Sequence, residues 1–138
     1  MASAWSAATK AIDLARMGRD PSPNGPVVQG FTARGFTVDG GIYEGLLLTP
    51  QRADGWDAPP LAELGPEHVE AVLALEPAPE FLLLGTGRSL ARPPRAFTAA
   101  LDARGIGVEV MDSRAAARTW GLLRAEERWI VAALMPLD

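Results

Sequence analysis

The chain has 138 residues, enough for one domain, with 48% hydrophobic and 22% charged residues, a net charge of −4 and no cysteine. Charges of both signs are scattered, so the basic stripe that nucleic-acid binding needs is missing, and no apolar run nears the ~20 residues of a membrane span. Without cysteine, disulfides, thiolate catalysis, Fe–S clusters and zinc–thiolate sites are excluded, and the chain fits a reducing compartment.

The first 20 residues, MASAWSAATKAIDLARMGRD, hold the Ser, Ala, Lys10, Arg16 and Arg19 of a transit peptide, but Asp13 and Asp20 run against that assignment. Ile12, Leu14 and Met17 with Trp5 and Ala8 form a short apolar stripe, so a short helix or mobile arm is expected. RDPSPNGP, 19–26, has three prolines and a glycine and serves as a linker. Residues 1–25 are therefore assigned to an N-terminal arm and Pro-rich linker, and 26–138 to a single α/β domain.

In the domain, Phe36 and Val38 alternate with Thr37 and Asp39, and Asp39-Gly40-Gly41 signals a hairpin turn that needs positive φ. The partner strand is expected over 42–48, stopping at Pro50. Residues 51–64 are expected to be a loop carrying Trp56. Gly65 then caps a helix with Pro66 at its first position and Glu67 in its first turn. Val69, Val72 and Leu73 share one face, and Pro77 and Pro79 end it.

From residue 81 strand and helix alternate. A strand over 81–84 is followed by a helix over 94–104, with Phe97, Ala100 and Leu101 inward and Gly105 at its end. Ile106, Val108 and Val110 alternate on the next strand. Asp112 or Ser113 caps a third helix with Ala116, Trp120 and Leu123 inward, and 128–136 form the last strand. The continuous apolar runs 81–84 and 130–134 suggest strands buried on both faces. A crossover of about 20 residues implies a parallel pair and a right-handed connection. The hairpin either shares one sheet with this unit or packs on it as an adjacent sheet.

Much catalytic chemistry is missing. The one lysine, Lys10, lies outside the expected core and no Gly-Lys-Ser/Thr exists, which excludes P-loop phosphoryl transfer and Schiff-base chemistry on a core lysine. The one histidine, His68, is expected to be an exposed helix residue, and no Gly-x-Ser-x-Gly elbow accompanies it. Asp54/Asp57 and Glu126/Glu127 lack ligand spacing and are expected to be solvated. No catalytic residue, metal or cofactor is assigned.

EFLLLGTGRS, 80–89, empties an apolar strand into Gly85-Thr86-Gly87, as many nucleotide loops do. The dinucleotide fingerprint wants a third glycine where Leu90 stands, and its helix should start at the loop, whereas residues 90–94 intervene here. Two alternatives stay open: a tight turn after a buried strand, or a small-ligand or anion pocket built from Gly85, Thr86 and Gly87 with Arg88 and Arg92 above the strand's C-terminal edge, which with nearby carboxylates would make the chain a ligand binder or an unrecognised enzyme. Trp56, in a Pro/Asp-rich loop, is either an exposed anchor for a protein partner or a lid packed over the hairpin.

GFTARGFTVDGGIYEGLLLTP, the loop tryptophan Trp56, LEPAPEFLLLGTGRS and LDARGIGVEVMDSRAAARTWGLLRAEERWIVAALMP follow one another over roughly 27–136. In this order and spacing they resemble the family of mitochondrial complex I assembly factor 3, with its bacterial and archaeal relatives and an adipogenesis-associated animal member. The resemblance implies a single compact three-layer α/β domain, with a mixed central sheet and an N-terminal β-hairpin followed by β-α-β-α-β. It also implies binding rather than catalysis, in the assembly of NADH:ubiquinone oxidoreductase, with respiratory complex subunits or another assembly factor as protein partner. No cofactor is implied, and the expected location is the cytoplasm, peripheral to the inner membrane through a partner. Gly85-Thr86-Gly87 is the one motif it offers as a candidate surface. Trp120-Gly121 departs from the aromatic-Asn pair usual in the bacterial relatives. The arm lies outside the resemblance.

Overall fold

The computed structural model describes residues 25–138; the expected arm and most of the linker lie outside the described residues. The hairpin forms as expected. Strands β1 (Gly30–Phe31), β2 (Phe36–Val38) and β3 (Gly41–Tyr43) make a three-stranded antiparallel sheet, with Thr37 opposite Ile42. Its turn places Asp39 at φ 49° and Gly40 at φ 83°, the pair of left-handed residues that a two-residue hairpin demands.

The expected partner strand over 42–48 is corrected to two strands. After Tyr43 the chain bends at Glu44-Gly45, and β4 (Leu46–Leu48) enters a second sheet. Gly45 makes the corner: its carbonyl accepts the Trp56 N–H at 2.9 Å, and a Cβ there would lie 2.2 Å from the Trp56 carbonyl oxygen. The expected loop over 51–64 is also corrected, because it contains a further short strand, β5 (Ala53–Gly55), antiparallel to β4. A turn folds it back: the Thr49 N–H donates to the Arg52 carbonyl, and the Thr49 hydroxyl accepts from the N–H groups of Gln51 and Arg52. Pairing, not propensity, makes Ala-Asp-Gly a strand, since all three residue types are depleted in sheets.

The second sheet has the order β5-β4-β8-β6-β7, completed by β6 (Phe81–Gly85), β7 (Gly107–Met111) and β8 (Val131–Leu134). β6 is parallel to both β7 and β8, and β4 is antiparallel to β8, so the sheet is mixed. The last strand, expected over 128–136, pairs only at its centre. Before β6, Pro66–Val69 form a 3-10 turn that runs into a one-turn helix, α1 (Glu70–Leu73). Helix α2 (Arg95–Asp102) joins β6 to β7, and α3 (Ser113–Ala125) joins β7 to β8.

Side-chain alternation then divides the core into two layers. Leu47, Leu82, Leu84, Val131 and Ala133 face one way and pack with Val69, Val72, Leu73, Phe97 and Leu101, which come from the 3-10 turn, α1 and α2. Leu46, Leu48, Leu83, Ala132 and Leu134 face the other way, against Ala116 and Trp120 of α3 and Phe36 and Val38 of the small sheet. Helices, sheet, and α3 with the small sheet are the three layers. The strands of 81–84 and 130–134 are thus covered on both faces. No described helix is long and apolar enough to cross a membrane.

Local signals set the helix ends. Pro94 is the N-cap of α2, and the chain leaves that helix through Gly105 at φ 78°. The Asp112 carboxylate caps α3 by accepting the Ala115 N–H at 2.9 Å. Trp120 is fully buried and its indole N–H donates to the Pro26 carbonyl at 2.8 Å, so the start of the domain is fastened to α3.

Candidate functional site

β6 and β7 are neighbours, yet their outgoing connections part: the chain after β6 runs to α2 on one face, and the chain after β7 runs to α3 on the other. Such a divergence at the C-terminal ends of parallel strands is where open α/β sheets leave a crevice for ligands. Gly85-Thr86-Gly87 sits there. In this protein the crevice is filled by the chain itself.

Ser113, the first residue of α3, supplies the filling. It is fully buried. Its hydroxyl accepts the Gly87 N–H at 2.8 Å and donates to the Met135 carbonyl at 2.7 Å, and its own N–H donates to the Gly87 carbonyl at 2.8 Å. The Thr86 N–H goes to the Met111 carbonyl, and the Gly85 carbonyl accepts from Met135. Phosphate loops work by presenting free N–H groups, whereas those of Thr86 and Gly87 are already spent inside the protein. Space is spent too: a Cβ on Gly85 would lie 2.7 Å from the Ser113 oxygen and 3.0 Å from Leu134, and one on Gly87, whose φ is 97°, would lie 3.1 Å from the Pro136 carbonyl oxygen. Between the two alternatives left by the sequence, this geometry supports a packing turn and gives an anion cradle at the glycines no donors.

Beyond the glycines the loop turns outward. The Thr86 hydroxyl donates to the Ser89 carbonyl at 2.7 Å and accepts the Ala91 N–H at 3.1 Å, bracing residues 86–91. Arg88 and Arg92 are exposed on this braced loop, as are Leu90 and Arg95. Among the described residues, no acid pairs with Arg88, Arg92 or Arg95. Four other arginines are paired with acids, Arg34 with Asp138 and Glu44, Arg52 with Asp54, Arg104 with Glu70, and Arg128 with Glu80, whereas the exposed Arg114 lies over the Phe31 ring and Arg118 has no acid partner among the described residues. Hydrogen bonds from Arg104 and Arg128 hold the Glu70 and Glu80 carboxyls below the usual glutamate range. Burial pushes the Arg124 guanidinium below its ordinary value, and the group donates to the Arg128 carbonyl past the end of α3.

For Trp56 one of the two open alternatives falls, and for His68 the expectation is corrected. Trp56 is not an exposed anchor: it is 9% exposed, lies in the core layer with Leu47, Leu64 and Val69, and donates its indole N–H to the His68 carbonyl at 2.9 Å. The turn at Gly45 and the pairing of β5 draw it inward. His68 is not a freely exposed helix residue: its side chain is 31% exposed and its Nδ1 accepts the Gly65 N–H at 2.9 Å, an N-cap bond made backwards from the third residue of the turn. Asp57, Glu126 and Glu127 are exposed, as expected, while Asp54 is half-buried in its pair with Arg52. Among the described residues no group of three or more His, Asp or Glu side chains is placed to hold a metal ion. Leu90 and Arg95 were missed as surface residues of the same loop; the absence of any acid between Glu80 and Asp102 was the available signal.

The profile of a family described as protein of unknown function (DUF498/DUF598) matches residues 28–135. A Danio rerio protein named NADH dehydrogenase (ubiquinone) 1 alpha subcomplex assembly factor 3 is 32% identical over 113 residues, covering 81% of this chain and 65% of that protein. The chain therefore spans just under two thirds of that relative's length. An uncharacterized protein of Rhodobacter capsulatus is 30% identical over 121 residues, covering 86% of this chain and 92% of that one. The solution structure of a Bordetella pertussis protein, described as a Mth938-like domain, superposes with a TM-score of 0.71 at 26% identity, covering 89% of this chain and 93% of that one.

Proposed function

Since the chain belongs to the family described as protein of unknown function (DUF498/DUF598), we propose that it is a non-catalytic protein-binding domain that assists the assembly of a respiratory NADH:ubiquinone oxidoreductase. The observation that carries this is the 32% identity to a protein named as an assembly factor for NADH dehydrogenase, spread over 81% of the chain. The family profile, matched over residues 28–135, runs through both sheets and helices α1 to α3 rather than one motif.

The geometry supports the same conclusion. The crevice that α/β sheets commonly give to a ligand is sealed by Ser113, and the described domain is a two-layered core with ion pairs on its surface. The small-ligand alternative at Gly85-Thr86-Gly87 gains nothing from the N–H groups of Thr86 and Gly87, which are taken. Its partners are subunits of the complex or a second assembly factor.

The test is removal of the gene from its own cell. Native electrophoresis and membrane NADH oxidation are expected to show less assembled complex, restored by the gene in trans. Normal assembly in the deletion strain would remove the claim.

A further inference from the structure

The loop over 88–95, RSLARPPR, carries three arginines and no acid. Arg88, Arg92 and Arg95 lie within eight residues, all exposed and none paired with an acid among the described residues. The chain as a whole carries −4, and four other arginines are matched to carboxylates. Leu90, between Arg88 and Arg92, is 66% exposed. An exposed leucine alone is unremarkable; one flanked in sequence by arginines without acid partners has the composition of an interface anchor with a charged rim. The loop is also held in shape: the Thr86 hydroxyl ties Ser89 and Ala91, Pro93 and Pro94 restrict the backbone, and α2 begins at Arg95. A partner therefore meets a surface already ordered, and little entropy is lost on docking.

We infer that residues 88–95 are the docking surface for an acidic, leucine-containing segment of a partner protein, its carboxylates on Arg88, Arg92 and Arg95 and an apolar side chain on Leu90. This deepens the protein-binding function and rests on it. Charge complementarity selects the occupant: guanidinium forks match carboxylates. Three charges on a net-negative protein are too few to hold a nucleic acid or an anionic membrane against the salt dependence of those contacts.

The test uses the full chain, isotopically labelled, titrated with a 16-residue peptide of Glu, Asp and Leu, with vesicles of phosphatidylglycerol and phosphatidylcholine, and with a single-stranded oligonucleotide. The peptide is expected to shift the amides of 88–95. The triple variant Arg88→Glu, Arg92→Glu, Arg95→Glu should weaken it roughly tenfold or more, given three rim charges reversed, and Leu90→Ala should weaken it too. A thermal melt unchanged in these variants shows that the fold is intact. No peptide binding at this loop, binding indifferent to charge reversal, or vesicles or oligonucleotide shifting the same amides more strongly would overturn the proposal. Complementation separates it from the assembly function. If the wild-type gene restores assembly and the triple variant restores it equally, the loop proposal fails alone. If deletion leaves assembly normal while the peptide maps to 88–95, the assembly function fails and the loop stands.

Discussion

Ser113 and Gly87 lie 26 residues apart in sequence and are joined by two hydrogen bonds, Gly87 N–H to the Ser113 hydroxyl and Ser113 N–H to the Gly87 carbonyl, each 2.8 Å. The same hydroxyl donates to Met135, so one buried oxygen ties the ends of β6 and β8 to the start of α3. Ser113→Ala would leave the buried Gly87 N–H and a lone pair of Met135 unsatisfied. The expected cost is about 1–3 kcal/mol, read as a lower urea midpoint with an unchanged slope. An unchanged midpoint would mean that water replaces the hydroxyl and that the crevice is not sealed.

Gly121 and Gly105 separate space from backbone conformation. A Cβ on either would meet nothing within 4 Å. Gly121 sits inside α3 without a positive φ, so Gly121→Ala should stabilise by about 0.5–1 kcal/mol, as glycine in a helix interior costs that much. Gly105 has φ 78° where the chain leaves α2, so Gly105→Ala should destabilise by about 1–2 kcal/mol. Thermal melts of the two variants should therefore move in opposite directions. A shared direction would contradict the assigned dihedrals.

The pairs Glu70–Arg104 and Glu80–Arg128 predict a pH effect. Hydrogen bonding to arginine lowers both carboxyl pKa values in the folded protein. A lowered folded value means that the stabilisation is present above the unfolded glutamate pKa and is lost as pH falls through the folded one. Melting temperature should therefore decline on the acid side of the glutamate range. Glu70→Gln with Glu80→Gln should flatten that decline by lowering the melting temperature slightly at neutral pH toward its acid value, the change being small because the pairs are solvent-exposed. A double variant with an unaltered acid limb would assign the decline to other groups.

Trp56 belongs to the core, and its substitutions should show it. Trp56→Ala is expected to cost about 3–5 kcal/mol. Trp56→Phe keeps most of the apolar contact but leaves the His68 carbonyl without the indole donor, a loss of about 1 kcal/mol. Denaturation midpoints of the two variants check the order. Neutral behaviour of Trp56→Ala would restore the exposed-anchor interpretation.

Where the sequence was legible, periodicity and caps carried the information. Phe36 and Val38, Phe97 and Leu101, Ala116 and Trp120 all lie inward as their spacing requires. Asp39 and Gly40 take the positive φ that the hairpin signal requires, and Gly105 lies where the chain leaves α2, as its position suggested. What was illegible depended on contacts distant in sequence. Ile42 to Leu48 reads as one apolar strand, and only the approach of Trp56 to Gly45 splits it between two sheets. β5 exists because β4 has a free edge, not because Ala-Asp-Gly favours extension. At the candidate site the glycines were visible, but Ser113 was legible only as a cap. Nothing local tells that its hydroxyl closes the crevice 26 residues upstream.

Thr86 separates the brace of the 88–95 loop from the fold beneath it. Its hydroxyl proton can serve one acceptor: the Ser89 carbonyl at 2.7 Å is well placed, and the Met111 carbonyl at 3.3 Å is the weaker alternative. The Thr86 N–H, which goes to Met111, belongs to the backbone and survives substitution. Thr86→Val keeps shape and β-branching while removing the bonds to Ser89 and Ala91. Because these bonds lie at the surface, water can replace them, so global stability should fall by less than about 1 kcal/mol. Local opening should rise instead: the Ala91 amide loses its acceptor, and its hydrogen exchange should quicken while the amides of β6 keep theirs. If exchange quickens equally across β6 and the loop, Thr86 supports the sheet rather than the docking surface. If neither changes, proline and α2 alone fix the loop, and the hydroxyl is dispensable for its order.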